Sequence, residues 1–178
     1  MVATPTQDDS LDRRPLASAL NPATRPIRPS APPTPILIRV ADILVATDAD
    51  WIRDEVEAAL TGPDRSVRWV RHGVDVLPAV EETTPALVVL DLQIGNMGGM
   101  ATCMALHLEA GAERLPRVPV LMLLDREADV FLARRSDADG WLIKPIDAFR
   151  LRKAANVLLD GGEYHEGIPA DAGEPLLT

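Results

Sequence analysis

The sequence predicts an α/β domain built on a parallel sheet. Two observations predict it. Short, β-rich apolar runs alternate strictly with helical patterns along one stretch of chain. Those runs are continuously apolar rather than alternating, as strands covered on both faces must be. The composition adds what fills the sheet's flanks: 47% of residues are hydrophobic but only 3% aromatic, so the core is aliphatic.

The elements follow in order. Residues 1–35 hold eight of the 16 prolines and no hydrophobic periodicity, and are expected to form a disordered N-terminal extension. Pro26, Pro29, Pro32 and Pro35 fall at the three-residue spacing of polyproline II, where a linker is a simpler role than a docking peptide. The folded domain is expected over 36–160. Its strands are DILVAT (42–47), SVRWV (66–70), ALVVLD (86–91), VPVLMLL (118–124) and GWLIK (140–144). Its first helix is DWIRDEVEAALTG, with Asp50 as N-cap and Gly62 as stop. The second, VDVLPAVEE, is weaker because it contains Pro78. The third, GMATCMALHLEAGAE, has Met100, Met104, Leu106 and Leu108 among its apolar positions. The fourth, ADVFLARRS, is short. The fifth, DAFRLRKAANVLLDGG, opens on a capping Asp147 and closes at a double glycine. Residues 161–178, Gly-rich with four acids and no Lys or Arg, are expected to be a flexible acidic tail.

Several function classes are disfavoured. A net charge of −9 argues against direct nucleic-acid binding, which needs a positive surface. No apolar run is long enough to span a membrane, and the N-terminus has no apolar signal-peptide core. The lone Cys103 cannot form an internal disulfide, which fits a reducing, cytoplasmic setting. Mid-helix, it reads as a packed small hydrophobe. His72, His107 and His165 are too scattered for a metal cluster or a triad.

In a parallel sheet the site lies at the carboxyl edge of the strands. The polar residues there are Thr47 and Asp48 after the first strand, Asp91 after the third, Asp125 after the fourth and Lys144 at the end of the fifth. Two carboxylates, Asp48 and Asp91, and one ammonium, Lys144, then converge. Close carboxylates repel unless a cation lies between them. Oxygen ligands of this kind suit Mg²⁺, which also binds phosphate. Lysine meets a phosphoryl group as a point charge, and an Asp carboxylate can attack phosphorus. Glycines at 95, 98 and 99 would let the loop after Asp91 turn tightly, and no Gly-Lys-Ser/Thr follows to make it a P-loop.

The stretches ILVATDADWIR (43–53), PALVVLDLQIGNMGGM (85–100), VPVLMLLDREAD and DADGWLIKPID (between 118 and 147) resemble the receiver domain of bacterial two-component response regulators. The resemblance covers roughly 37–160. It implies a flavodoxin-like five-stranded parallel sheet in the order 2-1-3-4-5 with five flanking helices. It makes Asp91 the phosphoacceptor, Asp48 a direct Mg²⁺ ligand together with Asp91, and the Gln93 backbone carbonyl the third protein ligand. Lys144 pairs with the phosphoryl group, Pro145 follows in a cis peptide, and Leu124 and Trp141 hold the two switch positions. The partners implied are a sensor histidine kinase or phosphotransfer protein and a downstream protein target. A homodimer through the last two helices and the fifth strand is a further expectation; Arg134, Arg135, Arg150, Arg152 and Lys153 cluster around those helices, where a solvated face is the simpler reading.

Three positions depart from the family pattern. Thr47 stands where a second acid is usual. Leu124 replaces a Ser/Thr that would donate to a phosphoryl oxygen, and Ile94-Gly95 replaces the usual Met-Pro. The expectation is therefore an atypical receiver that accepts a phosphoryl group on Asp91, has no DNA-binding domain and is not otherwise an enzyme. The alternative is a degenerate receiver serving as a phosphorylation-independent interaction module. A phosphatase using Asp91 fits less well, since Gln93 stands where that class places a second acid. A flavin site fits worse, lacking a Ser/Thr-rich phosphate loop after the first strand.

Overall fold

The computed structural model describes residues 40–167; the N-terminal extension expected over 1–35, and residues 168–178, lie outside them. Strands β1 (Ala41–Ala46), β2 (Arg65–Val70), β3 (Leu87–Asp91), β4 (Val120–Leu124) and β5 (Gly140–Ile143) alternate with helices α1 (Asp50–Leu60), α2 (Val76–Glu82), α3 (Gly99–Gly111), α4 (Val130–Arg135) and α5 (Ala148–Leu159). All strand pairs are parallel, and the order is β2-β1-β3-β4-β5, as the resemblance implies. A sixth strand, β6 (Tyr164–His165), extends the sheet beyond β5. The acidic tail expected from residue 161 is thus, over its first residues, part of the sheet. Nothing in its polar composition signals a strand, because its stabilising contacts are tertiary.

Strand side chains alternate between two cores. Ile43, Val45, Leu87, Val89, Leu121, Leu123 and Leu142 pack against α1 and α5 through Ile52, Val56, Leu60, Leu151 and Leu158. Leu44, Ala46, Val88, Leu90, Val120, Met122 and Leu124 face α2, α3 and α4 through Val76, Val80, Cys103, Leu106 and Ala133. Burial on both faces explains why these strands read as unbroken apolar runs.

Local departures from the expectations have physical reasons. Asp50 does not cap α1: Ala49 is the N-cap, and the Asp50 carboxylate instead meets Arg71 at 2.5 Å. Pro78 is tolerated because it sits in the first turn of α2, where its missing N–H needs no partner. On α3 the inward stripe is Gly99, Thr102, Cys103 and Leu106, while Met104 and Leu108 lie on the outer face, Leu108 at 68% exposure. Asp147 does cap α5, accepting from the Phe149 and Arg150 amides. The double glycine closes that helix: Gly161 adopts φ +81° and Gly162 N–H returns to the Val157 carbonyl.

Candidate functional site

The carboxyl edge of the sheet brings Thr47, Asp91, Asp125 and Lys144 together, with Asp48 beside them. Asp91 is the last residue of β3 and is only 2% exposed. A buried carboxylate needs partners, and it has three. Lys144 Nζ donates to Oδ1 at 2.8 Å and the Gln93 amide donates to the same oxygen at 3.1 Å. The Thr47 hydroxyl donates to Oδ2 at 3.0 Å. Thr47, at the position where a second acid is usual, therefore serves as a neutral donor. An acid there would set a second negative charge against a buried one. The same hydroxyl accepts from the Ala49 amide and so shapes the entry into α1.

Lys144 is shared. Its ammonium also lies 3.0 Å from Asp125 Oδ1, on the turn after β4. Asp125 thus faces the site rather than capping the next helix; Asp129 accepts from the Arg126 amide there. Leu124 is fully buried and offers the site only its backbone carbonyl, which accepts from the Lys144 amide. The Lys144–Pro145 peptide is cis, as the resemblance implies.

Asp48 is exposed, and its Oδ2 accepts from the Gly95 amide at 3.2 Å, tying the loop after β1 to the loop after β3. In that second loop the left-handed residues are Asn96 and Met97, with φ of 51° and 91°, not the glycines. The glycine that the loop needs is Gly99. A Cβ there would sit 2.5 Å from the Asp91 carbonyl oxygen and 2.8 Å from Leu92 Cα. Its absence lets α3 start directly against the residue that carries the site carboxylate.

Trp141, 2% exposed, points into the core from β5. Its indole N–H donates to the Glu166 carbonyl at 2.8 Å, and its ring stacks on His165 with centroids 4.0 Å apart. This link was not legible in the sequence, since Glu166 lies in the segment that reads as tail. The basic residues of α4 and α5 do not form one cluster. Arg150 binds Glu166 and the Ile143 and Pro145 carbonyls, Arg152 binds the Ala59 carbonyl, Arg135 lies over the Phe131 ring at 5.9 Å, Lys153 lies over the Tyr164 ring at 5.7 Å, and Arg134 is exposed.

Away from the edge, burial pushes the Cys103 thiol up to about 12. Burial, with help from the neighbouring Arg117 guanidinium, lowers the His107 imidazole below its ordinary 6.5. Among the described residues no group of three or more His, Cys, Asp or Glu side chains could hold a metal by themselves.

The oxygen set that remains is Asp48, Asp91 and the Gln93 carbonyl, which accepts no hydrogen bond among the described residues. Two carboxylates and a carbonyl suit Mg²⁺, which keeps waters and uses substrate phosphate oxygens for the rest of its shell. The donor chemistry fits the ion, with one fewer carboxylate than an edge carrying an acid at position 47 would supply.

A flavodoxin-like sheet whose edge carries a buried aspartate held by a lysine defines a receiver-type signalling domain. The model of the response regulator receiver domain matches residues 43–156, and the chain belongs to that family. It is 32% identical over 105 residues to the DNA-binding response regulator MtrA of Mycobacterium tuberculosis, across 58% of this chain and 43% of that one. It is 28% identical to the transcriptional regulatory protein GltR of Pseudomonas aeruginosa, across 68% and 50%. The chain thus spans about half the length or less of these curated relatives. The receiver domain of NtrX from Brucella abortus superposes with a TM-score of 0.57 at 28% identity, covering 67% of this chain and 98% of that one. The chemotaxis regulator CheY4 of Vibrio cholerae shares the fold, with a TM-score of 0.59 at 22% identity, 66% of this chain and 97% of that one being covered.

Proposed function

We propose that this receiver accepts a phosphoryl group on Asp91 from a sensor histidine kinase, a phosphotransfer protein or a small acyl phosphate, with Mg²⁺ held by Asp48, Asp91 and the Gln93 carbonyl. The observation that carries the reading is the 2.8 Å pair between Asp91 and Lys144 at the carboxyl end of the buried strand β3. A carboxylate oxygen of Asp91 attacks phosphorus, the bond from phosphorus to the donor's nitrogen or oxygen breaks, and the donor leaves with that electron pair. Bound Mg²⁺ would offset charge on the transferring phosphoryl oxygens. The Lys144 ammonium sits where it can pass from the carboxylate to the phosphoryl group formed on it. Asp125 opposes this step, because it holds the same ammonium and adds negative charge beside the incoming group. Transfer should therefore be slow. Output is by contact with a downstream protein, and the setting is cytoplasmic.

A second reading has its own support. Leu124 offers no hydroxyl, so phosphorylation has no donor through which to pull β4, and Trp141 is already bound inward by Glu166. On that reading the domain is an interaction module whose surface does not depend on Asp91. Intact mass after incubation with acetyl phosphate and Mg²⁺ separates the two. One added phosphoryl group, absent in Asp91→Asn, supports the first reading. No addition to a folded chain supports the second.

A further inference from the structure

The residues after α5 satisfy the open side of the sheet in a specific way. β6 pairs in parallel with β5, Tyr164 beside Gly140 and His165 beside Trp141. Tyr164 N–H donates to the Asp139 carbonyl. After His165 the backbone ladder stops, and the Glu166 side chain takes over. Its Oε2 accepts the Ile143 amide at 2.7 Å, and its two oxygens engage the Arg150 guanidinium, Oε1 at 2.7 Å from Nε. Arg150 is held in turn by the Ile143 and Pro145 carbonyls. Three elements therefore recognise this segment. The β5 backbone reads an extended strand, the Trp141 face reads a planar ring, and Arg150 with the Ile143 amide reads a carboxylate one residue later. The arrangement is that of strand addition, with pockets beside a sheet edge giving specificity.

We propose that the edge of β5 is a strand-docking surface occupied by the chain's own residues 163–167. Its external partner is a protein presenting an extended segment with a planar side chain followed directly by a carboxylate. The bound pattern is short: two paired residues and one charged side chain. Such a segment opens far more readily than a core strand. While it is seated it also covers the edge, so a homodimer paired through β5 requires its release. Access to this surface depends on the strap and not on Asp91, so the inference holds whichever reading of the carboxylate edge is right.

The test uses the full chain and a synthetic, end-blocked peptide of residues 162–167, Gly-Glu-Tyr-His-Glu-Gly. The variant His165→Ala/Glu166→Ala releases the strap without touching the carboxylate edge. It should bind the peptide, while wild type binds about tenfold or more weakly, because its tethered copy competes at roughly millimolar effective concentration. A Glu→Gln change at the peptide's last acid, or Arg150→Ala added to the variant, should each weaken binding by about tenfold or more. Should the variant fail to melt cooperatively, wild type decides. Millimolar peptide should then shift the NMR signals of the Trp141 indole and the Gly140–Ile143 amides. No binding by a folded variant, equal binding by wild type, or indifference to the carboxylate would overturn the proposal.

Discussion

Lysine 144 holds the only cation within bonding distance of Asp91 among the described residues. Replacing it by methionine keeps the aliphatic stem and removes the charge. At 2.8 Å the attraction in an effective dielectric of about 20 is worth roughly 6 kcal/mol before desolvation. Desolvation offsets much of that, so the pair as a whole adds little. Breaking one side of it is different, since Asp91 would stay buried with only Thr47 and the Gln93 amide to meet it. The loss expected for Lys144→Met is about 3 kcal/mol, at the low end for broken buried pairs because Lys144 keeps slight access to solvent. Asp91→Asn/Lys144→Met should lose clearly less than the sum of the single changes, with a coupling of about 2 kcal/mol. Urea unfolding of the four proteins measures this. A single Lys144→Met loss under about 0.5 kcal/mol, or strict additivity, would mean that the two side chains are not a buried, mutually dependent pair.

Four further outcomes follow from the structure. Gly99→Ala forces a Cβ into the Asp91 carbonyl and should cost about 2 kcal/mol or more in the same unfolding assay. Cys103, its thiol pushed up to about 12, should react with a thiol reagent only at the rate of unfolding; prompt modification of native protein would show it is reachable. The His107 imidazole is lowered by burial, so the unfolded chain takes up a proton that the folded chain refuses. Its contribution is intact above about pH 6.5 and is lost as pH falls from there toward the folded value; His107→Gln should flatten urea midpoints between pH 7.5 and 5.5 relative to wild type. Asp147→Ala removes the acceptor for two amides at the start of α5 and should cost about 1 kcal/mol in thermal or urea unfolding.

The parallel sheet was legible because burial on both faces leaves a direct trace, the continuous apolar run, and because each crossover carries its own helical pattern. Asp147 and the terminal double glycine were legible for the same reason: capping is local chemistry. Asp50 misled because an acid before an apolar repeat looks like a cap, whereas here it is drawn to Arg71 on another element. Which apolar positions of α3 face inward was not legible: Met104 and Leu108 share the helical pattern but are rotated away from the inward stripe of Thr102, Cys103 and Leu106. At the site, Asp91, Asp48, Asp125 and Lys144 could be placed on one edge by topology alone. What Thr47 does there could not, since its role lies in one hydrogen bond across 44 residues. Glu166 was invisible for the same reason: it is one acid in an acidic, Gly-rich segment until Arg150 and β5 are seen beside it.

The proposed phosphoacceptor role of Asp91 can be tested at the residue itself. The direct measurement is chemical trapping: treat the chain with acetyl phosphate and Mg²⁺, reduce with borohydride, and sequence the peptides by mass spectrometry. An acyl phosphate is reduced to the alcohol, so homoserine is expected at position 91, dependent on both reagents and lost in Asp91→Asn. Unmodified aspartate at 91 in every fraction, or homoserine at Asp48 or Asp125 instead, would contradict that role.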